Sequence, residues 1–236
     1  MGCSFCASTL NGLVRNLSAG EMLEQVIRAG CESKMTISNI VLMGMGEPLD
    51  NYDNVFRFLQ VVNDAHGLGI GMRHISLSTC GLCDGILRLA EEQIPLTLSI
   101  SLHAPDDETR SAIMPVNRKY NVSALMDACK TYYAKTGRRI SFEYTMIQGV
   151  SDTREAAKRL GDLLAGFPCH INLIPLHRVA ERTLEPSAPD AIRVFQESLE
   201  KRGLTVTVRR SLGTDIDAAC GQLKRRTEED MRGDFS

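Results

Sequence analysis

Six short runs of aliphatic and β-branched residues punctuate the chain, at Asn39–Met45, His74–Thr79, Leu96–Leu102, Ile140–Ile147, His170–Leu176 and Leu204–Arg209. Helical patterns lie between them. Met22, Val26 and Ile27 share a face closed by Gly30, and Val55, Phe58, Leu59 and Val62 share another closed by Gly67. Leu125, Met126 and Cys129 follow the candidate caps Asn121 and Ser123, while Ile192, Phe195 and Leu199 follow Pro189 and stop before Gly203. Strands and helices alternating at this spacing form βαβ units, so the expected fold is α/β with a parallel sheet. Pro186-Ser187-Ala188-Pro189 is too short a break for an interdomain linker, and residues 1–236 read as one domain.

Composition excludes several classes. The 27 Lys and Arg nearly cancel the 29 Asp and Glu, so the basic excess of a dedicated nucleic-acid binder is missing and any RNA footprint must be local. No apolar run approaches the roughly 20 residues of a membrane span. Met1-Gly2-Cys3-Ser4-Phe5-Cys6 has neither the basic region nor the apolar core of a signal peptide. The eight cysteines therefore read, in a reducing cytoplasm, as metal ligands, catalytic thiols or small core residues.

The polar residues at the strand ends are the first sign of a site. Gly46-Glu47-Pro48, Ser78, Ser101 with His103, and Asn172 stand at the C-terminal ends of successive apolar strands. In a parallel α/β barrel those ends form one face, where active sites are built. Cys3 and Cys6 add a Cys-x-x-Cys pair on a loop. By itself the pair suits a zinc or iron–sulfur centre, a redox dithiol or two unrelated cysteines. Cys80 and Cys83 repeat the spacing beside a strand end, as a metal or redox pair or, the favoured reading, in a purely structural role.

Read in order, these segments resemble one family. Gly2-Cys3-Ser4-Phe5-Cys6-Ala7-Ser8 leads to Arg15-Asn16-Leu17-Ser18-Ala19-Gly20-Glu21, then Met43-Gly44-Met45-Gly46-Glu47-Pro48-Leu49 and Leu77-Ser78-Thr79-Cys80-Gly81. Ser99-Ile100-Ser101-Leu102-His103-Ala104-Pro105, Ile171-Asn172-Leu173-Ile174-Pro175 and Asp215-Ile216-Asp217-Ala218-Ala219-Cys220-Gly221-Gln222-Leu223 complete the series. From Gly2 to about Arg226 the chain resembles the dual-specificity ribosomal and transfer RNA adenine-C2 methyltransferases, the RlmN family of the radical S-adenosylmethionine (SAM) superfamily.

The resemblance implies a partial (β/α)6 barrel of the TIM type carrying a [4Fe-4S] cluster and SAM. It makes Cys3 and Cys6 the second and third cluster ligands. Gly46, Glu47, Ser78, Ser101, Leu102, His103 and Asn172 become SAM contacts, and Cys220 the cysteine that carries the methyl group. The expected substrates are adenosines of 23S rRNA and of tRNA, with an electron donor such as flavodoxin or ferredoxin, in a cytoplasmic monomer. The family's first cluster cysteine would lie two residues before Met1. Its N-terminal accessory domain, first barrel strand, proposed Glu base and resolving Cys also fall upstream, so the chain reads as N-terminally truncated. The related C8-adenine methyltransferases of the antibiotic-resistance type, an inactive remnant that only binds RNA or a partner, and a small zinc module are the competing expectations.

Overall fold

A computed structural model describes residues 1–10, 12–179 and 181–210. Six parallel strands form one sheet in strictly sequential order: β1 (Ile40–Leu42), β2 (Ile75–Thr79), β3 (Thr97–Ser101), β4 (Ile140–Met146), β5 (Cys169–Pro175) and β6 (Thr205–Val208). Each falls inside or within one residue of a run marked by the sequence. Crossovers of one hand between consecutive neighbours lay every helix on the same side of the sheet, which curls it into an open barrel.

Among the described residues seven α-helices precede or join the strands: α1 (Ala19–Ser33), ahead of β1, then α2 (Tyr52–Asn63), α3 (Cys83–Glu91), α4 (Asp107–Ile113), α5 (Val122–Thr136), α6 (Arg154–Leu163) and α7 (Pro189–Glu200). Their starts follow capping chemistry. Ser18 and Glu21 form a reciprocal capping box at α1, while Asp106, Asn121 and Thr153 each accept a backbone N–H at the start of α4, α5 and α6. Pro189 occupies the first turn of α7, where its missing N–H is harmless. Gly30 does not end α1, contrary to the sequence reading. The helix continues to Ser33 and stops at Lys34, whose φ of 55° is left-handed. Likewise α2 ends at Asn63, four residues before Gly67. Among the described residues no helix is long and apolar enough to cross a membrane.

The pleat divides the residues of the central strands between two environments. Leu77, Leu98, Ile100, Phe142, Tyr144 and Ile171 point outward and are fully buried against the helices in one apolar core. The alternate positions point inward and are small or polar. Register aligns them in rows: Ser78, Ser99, Ser141, His170 and Thr205 in one, and Ser101, Glu143, Asn172 and Thr207 in the next. A second, smaller apolar cluster of Cys3, Cys80, Ala104, Ile113, Met114 and Ile147 seats the N-terminal loop on the C-terminal end of the barrel.

The two faces respond differently to truncation. Phe142→Ala is expected to lose about 3–5 kcal/mol of unfolding free energy, and Ser76→Ala, on the inner face, less than about 1 kcal/mol. Urea titrations giving similar losses would contradict this assignment of faces.

Candidate functional site

The C-terminal ends of β1, β2, β3 and β5 bring the sequence-marked residues to one end of the barrel. Gly46 follows β1 with φ +91°, a conformation that glycine alone adopts at little cost, and a Cβ there would meet nothing within 4 Å. Its backbone is therefore open to approach. Glu47 comes next, and both of its carboxylate oxygens are already engaged. Oε1 accepts Leu49 N–H at 3.0 Å and Oε2 accepts Cys80 N–H at 2.7 Å, tying the β1 loop to the end of β2. Each oxygen keeps a further lone pair.

Ser78 and Ser101 are half-buried on the inner face. Leu102, grouped with them in the sequence reading, is different. Its side chain lies in the helix-side core, its N–H donates to Glu143 O, and its carbonyl accepts from both Ala104 N–H and Arg110 Nε. It has no free polar group for a ligand. His103 is buried, with φ +58°, and its Nδ1 lies 3.1 Å from Thr145 N–H and 3.0 Å from Thr145 Oγ1. Burial, helped by the charge of Arg110, pushes its pKa down to about 3, so the ring is neutral at physiological pH.

Asn172 completes the set on β5. Its Nδ2 donates to Glu143 Oε2 at 2.7 Å and its Oδ1 accepts from Thr207 at 3.4 Å, leaving one donor and one acceptor position. Glu143 escaped the sequence reading because it sits mid-strand in Phe142-Glu143-Tyr144, not at a strand end. Only 5% exposed, it also accepts from Ser141 at 3.1 Å, and Ser141 in turn meets His170 Nδ1 at 3.5 Å. Burial holds the Glu143 carboxyl above its ordinary value, against the opposing pull of Asn172, Ser141, Arg209 and Ser99. A cavity of about 240 Å³ opens on this inner face beside Ser99, Ser141, Glu143 and His170.

Cys3 and Cys6 stand on one tight turn above this end of the barrel. Cys6 N–H donates to Cys3 O, and the Thr9 hydroxyl lies 3.1 Å from Cys3 O and 2.9 Å from Cys6 O. Ser4 N–H donates to Ile113 O at 2.9 Å, the Phe5 ring meets His103 edge to face at 4.8 Å, and Arg182 reaches Thr9 Oγ1 at 2.9 Å. Burial, then the neighbouring Cys6, pushes the Cys3 thiol up to about 11. Cys80 and Cys83 are buried free thiols. Cys220 lies outside the described residues.

The sequence gives no hint that Arg110 is fully buried. Its five N–H donors face five acceptors: Leu102 O at 3.0 Å, Cys80 O at 2.7 Å, Ser101 O at 3.3 Å, Asn117 Oδ1 at 2.9 Å and Tyr120 O at 3.4 Å. No carboxylate is among them. Asp107 attracts the guanidinium electrostatically, but its Oδ1 is taken by Asn117 Nδ2 and Val122 N–H. Gly81 is required beside it, since φ is +101° and a Cβ would meet Leu125 Cδ1 at 3.0 Å.

The radical SAM superfamily model matches residues 1–160. A probable dual-specificity RNA methyltransferase RlmN of Alkaliphilus oremlandii is 55% identical over 226 residues, 96% of this chain and 66% of that protein. Its counterpart in Clostridium acetobutylicum is 52% identical over 233 residues, 99% of this chain and 68% of that protein. The crystal structure of a radical SAM methyltransferase from Sphaerobacter thermophilus superposes with a TM-score of 0.90 at 46% identity, covering 94% of this chain and 66% of that one. The chain thus spans about two thirds of the length of its relatives.

Glu143 yields a pH signature. The folded protein holds its proton more tightly than the unfolded chain, so the protonated form contributes stability fully present below the ordinary value of 4.5 and lost as pH rises through the raised native value. As pH rises from the ordinary value of 4.5 through the raised native value, Glu143→Gln is expected to gain stability relative to the parent, read from urea titrations at each pH. Parallel stability curves would show that burial leaves this carboxyl unshifted.

Proposed function

Because the chain belongs to the radical SAM superfamily and, within it, to the RlmN family of dual-specificity RNA methyltransferases, we propose that it serves to place a methyl group on C2 of adenosine in 23S rRNA and in tRNA. The observation that carries this reading is the seating of the Cys3–Cys6 turn over the strand ends, with Phe5 against His103 and Ser4 on Ile113. That arrangement sets two thiols above the polar groups suited to SAM.

The residues fit the family's two cofactors to different extents. Cys3 and Cys6 suit two thiolate positions of a [4Fe-4S] cluster, and the carboxylate-free cation of Arg110 attracts negative charge at Cys3. Among the described residues no three metal-ligating side chains converge, so these supply part of a ligand set. For SAM, the open backbone at Gly46 admits a ligand closely, and Glu47 retains lone pairs for an ammonium group. Ser78 and Ser101 offer hydroxyls, neutral His103 a ring N–H, and Asn172 its remaining donor and acceptor. Bound together, the cluster and SAM supply the radical chemistry that a poorly nucleophilic aromatic carbon requires.

Cys220 is the proposed methyl carrier, on the strength of its place in Asp217-Ala218-Ala219-Cys220-Gly221. The target adenine has to leave its stack to reach the strand ends, which loop RNA permits most readily. A flavodoxin- or ferredoxin-type donor, a cytoplasmic setting and a monomeric protein complete the proposal.

Deleting the gene is expected to remove 2-methyladenosine from nuclease digests of rRNA and tRNA analysed by mass spectrometry. Restoring the gene with Cys220→Ala is expected not to bring it back. Loss of 8-methyladenosine instead would move the protein to the C8 class, and an unchanged digest would refute the proposed activity.

A further inference from the structure

Between β3 and α4 the backbone makes a turn that L-residues resist. Ala104 N–H donates to Leu102 O at 2.8 Å, closing a three-residue turn around His103, whose φ of +58° marks the rarer and more strained form. Such a conformation persists only where its surroundings over-determine it. Here they do so from two sides. Glu143 O accepts both Leu102 N–H and His103 N–H, at 3.1 and 3.2 Å. Opposite, Arg110 bonds the same Leu102 carbonyl that closes the turn, together with the carbonyls of Ser101 and Cys80.

The turn also decides the state of the imidazole. Thr145 N–H can only donate, so His103 Nδ1 is the acceptor and Nε2 carries the ring hydrogen. The edge-to-face contact with Phe5 fixes the ring plane. One tautomer and one orientation result.

We propose that Arg110 is a positioning residue for cofactor binding: by clamping the carbonyls of Cys80, Ser101 and Leu102 it holds the strained turn that presents His103 Nε2–H and the Ser101 hydroxyl to SAM. The proposal rests on the reading that Ser101 and His103 contact that cofactor. A residue needed only to fill space here would be apolar, because a desolvated cation lacking a carboxylate is costly to bury. A lysine would match the charge but not the fork, whose separate nitrogens reach the ends of two strands at once.

The test uses Arg110→Lys and His103→Gly, singly and together, in the whole chain. Imidazole nitrogen NMR of the parent is expected to show His103 as a single Nε2–H tautomer, with a slowly exchanging Thr145 amide. In Arg110→Lys the tautomers mix and Thr145 exchange speeds up by roughly tenfold or more. The fall in Tm caused by Arg110→Lys shrinks in the His103→Gly background, since a turn without strain has less need of a clamp. Affinity for SAM, measured by equilibrium dialysis, drops by about tenfold in Arg110→Lys. An unchanged His103 spectrum, or additive losses of Tm, would overturn the positioning role. Coupled Tm losses and mixed tautomers, alongside SAM binding indifferent to Ser101→Ala and Asn172→Ala, would keep the clamp and refute the cofactor reading.

Discussion

A guanidinium sealed from water has to be satisfied donor by donor, and the acceptors of Arg110 come from three separate segments. The ends of β2 and β3 provide three carbonyls, and the connection between α4 and α5 provides the rest. Removing the side chain would take a donor from all five acceptors; Leu102 O keeps Ala104 N–H, and each acceptor left unpaired costs on the order of 1–3 kcal/mol before any relaxation. Other features hang from the same point. Cys80 binds Arg110 through its carbonyl and Glu47 through its N–H, so the β1 loop is secured at one remove. The cysteine turn rests on Ile113, at the C-terminal end of the helix that carries Arg110.

The inner face of this barrel differs from a packed one. Closed eight-stranded barrels fill their interior with bulky branched side chains. Here serines, threonines, Glu143, His170 and Asn172 occupy those positions, and the concavity beside them stays open. Their hydrogen bonds to one another satisfy groups that apolar packing would have left unpaired, which is how Glu143 is tolerated at 5% exposure.

Sequence periodicity located the sheet well, because each strand is an apolar run flanked by breakers. All six appear within a residue or so of the expected spans. The helices α3, α4 and α6 were less legible: α4 is short and heavily charged and owes its place to its cap and tertiary packing, and the buried stripe of α6, Ala156, Ala157 and Leu160, is built largely of alanine among charges. At the site, strand-end residues stood out because polar groups there interrupt an apolar pattern. Glu143 and Arg110 were invisible for opposite reasons. Glu143 lies within the alternation, and Arg110 looks like any charged residue on an exposed helix until three dimensions bury it. Leu102 shows the converse, since a place in a motif does not give a residue a free polar group: its side chain is buried and its N–H and carbonyl are both engaged.

The alternation along β3, β4 and β5 has a consequence for how the chain pairs its strands. A slip of one residue would drive Ile100, Phe142 and Tyr144 into the wet concavity and wedge Ser99, Ser101, Glu143 and Asn172 between sheet and helices. Both faces would be wrong at once, one through exposed hydrocarbon and the other through stranded polar atoms. The chemistry that lines the site therefore also proofreads assembly, and a mispaired intermediate is penalised before any cofactor arrives.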